Sequence, residues 1–161
     1  MIKQRVSEIA EALLGRGEWL AVAESCTGGY IAKTLTDLAG SSAWFESGYI
    51  TYSNRAKSAA LGVPNMLLAE HGAVSEAAAL AMAKGVLVTA PVDWSVAVTG
   101  IAGPAGGTKD KPVGTVWIAS ARRDGAANAR LFRFDGDRES VRSQTVRAAL
   151  DILLDRLRHG A

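Results

Sequence analysis

The amino-acid sequence predicts a three-layer α/β/α domain, in which helices cover both faces of a mixed, mainly parallel sheet of about five strands. Helical and strand patterns alternate through the first two-thirds of the chain, which favours parallel strands joined by helices. A hairpin pattern near the end adds antiparallel pairing. The length of 161 residues favours a single domain spanning residues 1–161.

A helix, a strand and a second helix are predicted at the start of the chain. Apolar side chains recur at helical spacing up to about residue 15, where glycines favour the end of the first helix. Residues 19–23 form a short apolar run typical of a buried strand. Residues 24–29, here called the polar turn, follow, and helical spacing resumes at Tyr30.

The middle of the chain continues this alternation. Residues 46–52 predict a second strand, and Asn54 is expected to cap a short helix that carries Lys57. Ser75 begins an alanine-rich helix that extends to about residue 88.

A strand, a loop, a hairpin and a long helix complete the predicted fold. Residues 94–99 predict a buried strand, and residues 100–112, here called the glycine loop, show no periodicity. Residues 113–121 and 129–134 predict the hairpin, and Asp137 is expected to open the last helix. Because ligands bind beyond the carboxyl ends of strands in such sheets, the polar turn and the glycine loop are expected at the binding site.

Composition and charge exclude several classes of partner. Eighteen basic and sixteen acidic residues leave a net charge of +2, which is too small to predict a nucleic-acid partner. The apolar run 77–88 is interrupted by Lys84, so no segment reaches the roughly 18 residues of a membrane span, and no membrane partner is expected. Cys26, the only cysteine, cannot form an internal disulfide, and the amphipathic start differs from a secretory signal, so a cytoplasmic location is predicted.

Ser25 is the candidate nucleophile. It leaves a strand and enters a helix, so the N–H groups of residues 26–29 are expected to point to whatever Ser25 contacts. Such donors suit the oxyanion of acyl transfer, where one donor contributes roughly 3 kcal/mol. The alternative, which the turn alone favours, is that Ser25 merely caps the helix. Cys26 is a rival nucleophile, because a thiol at a helix N-terminus can have a lowered pKa.

A nucleophilic serine needs a base, and the two histidines are poorly placed for that role. His71 is expected in a turn, and His159 lies near the end of the chain. Lys57 is the alternative base if burial keeps it neutral, and Tyr52, at the same strand end, could relay a proton or hold a ring. The opposing interpretation is a solvated lysine on a helix and a packed tyrosine.

The glycine loop does not match the common nucleotide-binding motifs. Residues 103–109 lack the Gly-Lys-Ser/Thr ending that a P-loop uses for phosphate and magnesium. Pro104 and a following strand replace the helix that a dinucleotide fingerprint requires.

Short polar and glycine-rich motifs follow one another along nearly the whole chain. They are Ala23-Glu24-Ser25-Cys26-Thr27-Gly28-Gly29, Tyr52-Ser53-Asn54 with Lys57, Leu61-Gly62-Val63, His71-Gly72-Ala73-Val74-Ser75, Thr99-Gly100-Ile101-Ala102-Gly103-Pro104 with Gly106-Gly107-Thr108, Lys111-Pro112-Val113-Gly114-Thr115-Val116, and Gly136-Asp137-Arg138 with Val141-Arg142. In this order the motifs resemble the CinA C-terminal domain family, although each motif alone would be weak.

The resemblance implies a nicotinamide-nucleotide amidase, which hydrolyses the carboxamide of nicotinamide mononucleotide to nicotinic acid mononucleotide and ammonia in pyridine nucleotide recycling. It implies neither a metal nor another cofactor, and a homodimer is expected on the same basis. The family's motif serine falls on Ser25, its tyrosine on Tyr52 and its lysine on Lys57. Thr99 and Arg142 are implied substrate contacts.

The backbone of both glycine-containing segments is expected to bind this substrate, supplying donors for an oxyanion and for a phosphate. Which segment binds which group stays open. The expected substrate-binding residues are Cys26, Thr27, Gly28, Gly29, Thr99, Gly100, Gly103, Gly106, Gly107 and Arg142. Two other functions also stay open: a non-catalytic nucleotide-binding or regulatory module, and a general amidase for other small amides.

Overall fold

The computed structural model describes residues 1–159; residues 160 and 161 of the predicted domain lie outside the described part. The strands are β1 (Leu20–Glu24), β2 (Phe45–Ile50), β3 (Trp94–Gly100), β4 (Thr115–Arg122) and β5 (Ala127–Arg133). The helices are α1 (Ile2–Arg16), α2 (Tyr30–Thr36), α3 (Asn54–Leu61), α4 (Asn65–His71), α5 (Glu76–Thr89) and α6 (Arg138–His159). One turn of 3-10 helix, Ser41–Ala43, precedes β2.

The five strands form one mixed sheet, as predicted, and their order in the sheet is β2-β1-β3-β4-β5. β1 lies between β2 and β3 and is parallel to both, whereas β4 is antiparallel to β3 and β5. Glu24, the last residue of β1, is paired with Ile50 on one side and Val98 on the other. The parallel strands therefore end at one edge of the sheet, and the segments that follow them meet there.

Two hydrophobic clusters, one on each face of the sheet, give the three layers. The first contains residues of α1, α2 and α6, and the second contains residues of α3, α4 and α5. Along β1, Leu20 and Val22 belong to the first cluster and Ala21 and Ala23 to the second. β1 is thus buried on both faces, as expected for a central parallel strand.

A glycine in α5 brings this helix unusually close to α3. A Cβ atom on Gly85 would lie 2.2 Å from the carbonyl oxygen of Leu61, the last residue of α3. Only glycine leaves room for that approach. The contact therefore sets how deeply α3, which carries Lys57, packs onto the domain.

β2 ends at Ile50 and not at residue 52, so Tyr52 lies in the connection to α3. The N–H of Thr51 still donates to the carbonyl oxygen of Glu24 (2.9 Å). The carbonyl oxygens of Thr51 and Tyr52, however, accept from the amine of Lys57. Beyond Ile50, in the connection to α3, these two carbonyl oxygens therefore bind a side chain.

Helix caps agree with the prediction at α5 and differ at α3. Ser75 caps α5 as predicted, since its hydroxyl oxygen accepts from the N–H of Ala78 (3.1 Å). At α3 the prediction is wrong, because Ser53 is the cap and Asn54 is already the first helical residue. The Ser53 backbone is extended, and its hydroxyl oxygen accepts from the N–H of Ala56 (3.0 Å).

α4 has no counterpart in the sequence prediction. Its seven residues contain the adjacent apolar residues Met66, Leu67 and Leu68, which lack the spacing of a longer amphipathic helix. His71 is the last residue of this helix, so its predicted position in a turn is wrong. Within residues 1–159, no helix combines the length and the apolar character needed to cross a membrane.

Candidate active site

A cleft of about 240 Å³ lies where the segments following β1, β2 and β3 meet. It is lined by Ser25, Cys26, Tyr52, Lys57, Ala73, Val74, Thr99, Gly100, Ile101, Ala102, Gly103, Ala105, Gly106 and Arg138. The polar turn and the glycine loop thus face each other, with the predicted nucleophile, base and tyrosine between them. This is the position predicted from the carboxyl ends of the strands.

Ser25 is held at the end of β1 by main-chain hydrogen bonds. Its N–H donates to the carbonyl oxygen of Val98 (3.1 Å), and its own carbonyl oxygen accepts from the N–H of Gly28 (3.1 Å). Its side-chain oxygen lies 3.0 Å from the Nζ atom of Lys57. The residue at the N-cap of α2 is Gly29, so the interpretation of Ser25 as a mere helix cap is wrong.

Lys57 is buried and has three hydrogen-bond partners. Its amine is 3.0 Å from Ser25 Oγ, 2.7 Å from the carbonyl oxygen of Thr51 and 3.1 Å from that of Tyr52. Its relative exposure is 1%, so the alternative of a solvated helix lysine is wrong. Burial lowers the pKa of the Lys57 amine, because the charged form is poorly solvated there.

A protonated lysine amine can donate to all three oxygens, and a neutral amine can also make all three contacts. A neutral lysine has two N–H donors and one lone pair. The donors are used by the carbonyl oxygens of Thr51 and Tyr52, which leaves the lone pair for the hydroxyl proton of Ser25. The arrangement therefore allows Lys57 to act as the base for Ser25.

Glu24, immediately before Ser25, is fully buried at the start of α2. Its carboxylate accepts from the hydroxyl of Thr27 (2.6 Å) and from the N–H groups of Gly29 (3.2 Å), Ile31 (2.9 Å) and Ala32 (3.0 Å). Sequence reasoning placed Glu24 in the polar turn without assigning it a role. An acidic residue just before a helix is favoured by the helix dipole, and this signal could have identified it.

The donors available for an oxyanion are fewer than predicted. The N–H of Gly28 donates to the Ser25 carbonyl, and that of Gly29 donates to Glu24. Within residues 1–159, the N–H groups of Cys26 and Thr27 donate to no other residue. Of the predicted contacts 26–29, only Cys26 lines the cleft. Thr27, Gly28 and Gly29 instead build the turn around Glu24.

Cys26 is unsuited to act as the nucleophile. Burial raises the pKa of its thiol to about 11, because the thiolate would be poorly solvated. The expectation that the helix N-terminus lowers this pKa is therefore wrong. Its thiol lies in the cleft wall beside Ser25 in the protonated form.

The glycine loop contributes free backbone donors to the opposite wall of the cleft. In the described part of the chain, the N–H groups of Ala102, Gly103, Ala105 and Gly106 have no acceptor. Gly103 and Gly106 have positive φ angles of 81° and 93°, which few other residues adopt. These donors are available to a bound anion.

Thr99, Gly100 and Gly107, which were also predicted to bind substrate, make contacts that support the fold. The Thr99 hydroxyl lines the cleft but donates to the carbonyl oxygen of Ala73 (2.8 Å), which ties the end of β3 to the turn before α5. Gly100 also lines the cleft and permits the close approach of β4. Gly107 does not line the cleft, because it packs against the backbone of Val113, where a Cβ atom would lie 2.8 Å from the nitrogen.

Arg138, and not Arg142, lines the cleft. Arg138 donates to the carbonyl oxygen of Gly103 (2.8 Å) and to the hydroxyl of Tyr52 (3.3 Å), so it bridges the two walls. Arg142, one turn further along α6, donates to the carbonyl oxygen of Thr27 (3.0 Å) and lies outside the cleft lining. The family resemblance implies a substrate contact for Arg142 and assigns no role to Arg138; the two arginines share one helix face, and only the fold separates them.

Residues 1–159 contain no group of three His, Cys, Asp or Glu side chains that could hold a metal ion. His71 and His159 lie outside the cleft lining and near the acidic side chains of Glu70 and Asp155.

The sequence of this chain is similar to that of a known protein family and its members. Residues 2–157 match the family model described as the CinA C-terminal domain. A relative from Escherichia coli K12, named nicotinamide-nucleotide amidohydrolase PncC, is 50% identical over 152 residues, covering 94% of this chain and 92% of the relative. A relative of the same name from Pseudomonas putida is 53% identical over 139 residues, covering 84% of each chain.

Solved structures show the same architecture. A crystal structure of a competence-damaged protein (CinA) superfamily protein from Klebsiella pneumoniae 700603 superposes with a TM-score of 0.94. It is 41% identical in sequence, and the match covers 99% of both chains.

Proposed function

The chain belongs to the CinA C-terminal domain family, and on that premise we propose that it hydrolyses the carboxamide of nicotinamide mononucleotide to nicotinic acid mononucleotide and ammonia. The observation that carries the proposal is the contact between Ser25 Oγ and the buried amine of Lys57, 3.0 Å apart in the cleft. A non-catalytic nucleotide-binding module would have no use for this pair.

The proposed reaction proceeds through an ester of Ser25. As the Ser25 oxygen attacks the carboxamide carbon, Lys57 accepts the hydroxyl proton, and the N–H of Cys26 donates to the oxyanion. Lys57 then gives the proton to the leaving nitrogen, which departs as ammonia. Water attacks the ester with Lys57 again as the base, and Lys57 passes that proton to the Ser25 oxygen as it leaves. The nicotinic acid product keeps the second proton of the water and then releases it to solvent to form the carboxylate.

The remaining walls of the cleft fit the rest of the substrate. Tyr52 is exposed and lines the cleft, so its ring is available to stack on the cationic pyridinium ring. Glu24 already occupies the donors at the start of α2, which disfavours a second anion there. The phosphate is therefore proposed to bind at the free N–H groups of the glycine loop beside Arg138.

Ammonia release from nicotinamide mononucleotide by the purified protein tests the proposed function. Turnover is expected without added metal or ATP. Nicotinamide and nicotinamide riboside serve as comparison substrates, because equal turnover of all three would indicate a general amidase. Binding of the mononucleotide without ammonia release would contradict the proposal and favour a non-catalytic module.

Replacing Arg138 by alanine is expected to raise KM for nicotinamide mononucleotide about 10-fold or more, because a charge-assisted hydrogen bond to the phosphate is lost. The effect on nicotinamide riboside, which lacks the phosphate, should be much smaller. Steady-state kinetics with both substrates measure the difference. Arg147→Ala, which removes a charge elsewhere on α6, is the matched control. Equal losses with the two substrates would place Arg138 away from the phosphate.

The pH dependence of kcat/KM is expected to report the Lys57 amine. Burial lowers the pKa of Lys57 below its ordinary value of 10.5, and only the neutral amine accepts a proton. Activity should therefore rise with pH and level off below 10.5. Ammonia release measured from about pH 5 to 10 checks this. Tyr52→Phe should not change the pH at which the activity levels off. A rate that rises steadily to the highest pH would contradict the assignment of Lys57 as the titrating base.

We also propose that the chain forms a homodimer. Within residues 1–159, the outer edge of β5 pairs with no other strand, and Leu131 on this strand is 44% exposed, features that favour a subunit contact. Light scattering during size-exclusion chromatography should give twice the chain mass of 16.8 kDa, and a mass of one chain would contradict the proposal.

The proposed location is the cytoplasm. The single cysteine is free and buried, so the fold needs no oxidising compartment. Fractionation of cells that express the chain should recover it with cytoplasmic markers, and recovery in a secreted fraction would contradict the location.

A further inference from the structure

Glu24 is a buried acid that the proposed reaction steps do not use. It has no exposed surface and does not line the cleft. Its carboxyl group accepts hydrogen bonds from the hydroxyl of Thr27 and from three N–H groups at the start of α2. A carboxylate accepts such bonds on both oxygens, and the aligned peptide dipoles of the helix favour its negative charge.

The carboxylate determines the shape of the polar turn. The segment from Ser25 to Gly29 is only five residues long, and Thr27 and Gly29 within it both donate to Glu24. With these donors bound, Cys26 and Thr27 are the residues of this described segment whose N–H groups donate neither to Glu24 nor to a main-chain carbonyl. The same residue that holds the turn therefore also decides which donors remain free near Ser25.

The main chain of Glu24 connects this turn to the base. Its carbonyl oxygen accepts from the N–H of Thr51 (2.9 Å), and the carbonyl oxygen of Thr51 accepts from Lys57 Nζ (2.7 Å). The main chain of Glu24 is thus linked to Ser25 by a peptide bond and to Lys57 through the hydrogen bonds of Thr51. Ser25 follows it in sequence, and Lys57 is one bonded residue away.

From this connectivity we propose that Glu24 is a positioning residue, which fixes the Ser25 hydroxyl and the Cys26 N–H relative to the Lys57 amine. The inference rests on the site described under the proposed function. It predicts that loss of the carboxylate slows the chemical step, because the reacting groups shift, while substrate binding at the glycine loop is retained.

Glu24→Gln tests the proposal with little change in side-chain volume. Its amide nitrogen cannot accept the N–H groups that one carboxylate oxygen accepts now. We expect kcat to fall about 10- to 100-fold, as for a small misplacement of reacting groups, with KM changed less than about twofold. The second-order rate at which a fluorophosphonate probe labels Ser25 should fall in parallel.

Val22→Ala is the matched control for a loss of stability that leaves the active site unchanged. Val22 lies two residues earlier on β1, in the hydrophobic cluster and outside the cleft. This substitution should lower Tm while kcat and the labelling rate of the folded protein stay near those of the unchanged chain. A Glu24→Gln variant that behaves like Val22→Ala, with a lower Tm and an unchanged kcat, would overturn the proposal.

A pair of substitutions at Thr27 decides the question if Glu24→Gln fails to fold. Thr27→Val removes one donor to the carboxylate with nearly the same shape, and it should slow Ser25 labelling several-fold. Thr27→Ser restores the hydroxyl and should recover most of that loss. Equal labelling by both variants would overturn the proposal.

The labelling measurement also separates this inference from the proposed function. It does not require turnover of nicotinamide mononucleotide. If the unchanged chain releases no ammonia but is labelled at Ser25, and Glu24→Gln slows that labelling, the proposed substrate is wrong and the positioning role stands.

Discussion

Ser25→Ala is expected to reduce ammonia release from nicotinamide mononucleotide by at least about 10³-fold, because no other group near the cleft can replace the nucleophile. The neighbouring thiol of Cys26 cannot replace it, since burial raises its pKa to about 11 and leaves it protonated. Among the side chains of residues 1–159, the lost hydroxyl is hydrogen-bonded only to Lys57, so we expect the variant to remain folded. Steady-state ammonia release and thermal unfolding measure the two outcomes.

Cys26→Ala is the control for this result. The proposed mechanism uses only the backbone N–H of residue 26, so most of the activity should remain. Loss of activity in Cys26→Ala together with retained activity in Ser25→Ala would indicate that Cys26, and not Ser25, is the nucleophile.

Lys57→Met is expected to lower kcat by about 10³-fold, because the base is removed while the length of the buried side chain is kept. Lys57→Arg should be similarly inactive, since a guanidinium stays protonated and cannot accept the Ser25 proton. Ammonia release checks both variants, and substantial turnover by Lys57→Arg would contradict a role as base. Retained binding of the mononucleotide would show that the cleft is intact.

The stability of Lys57→Met provides a second check on the same residue. The folded-state pKa of Lys57 is lowered by burial, so between that value and 10.5 the unfolded chain binds more protons than the folded one. The stability of the unchanged protein relative to Lys57→Met should therefore rise with pH across this window. Chemical denaturation of both proteins at several pH values measures it, and a constant difference would contradict the lowered pKa.

Much of the site could be predicted because the positions of the strands along the chain depend on local patterns. Ser25, Tyr52 and Thr99 each follow or end a segment that is predicted to be a strand. Because parallel strands end at one edge of a sheet, the sequence and the family resemblance together predicted that these residues lie close together. The structure has all three in the lining of one cleft.

The parts that could not be predicted depend on tertiary contacts. Helical spacing puts Arg138 and Arg142 on one face of α6, but only the packed position of that helix brings one of them to the cleft. The pKa of Cys26 depends on a competition between a helix terminus and burial, and the sequence shows only the first. The burial of Glu24 is likewise visible only once α2 is docked.

The missing side chain of Gly85 has a consequence for proton transfer. Lys57 lies one helical turn before Leu61, whose carbonyl group touches the bare backbone of α5 at this glycine. Even a methyl group there would wedge the two helices apart and carry the amine away from the serine hydroxyl. The distance between the Ser25 oxygen and the Lys57 amine thus depends on a helix, α5, of which no residue lines the cleft.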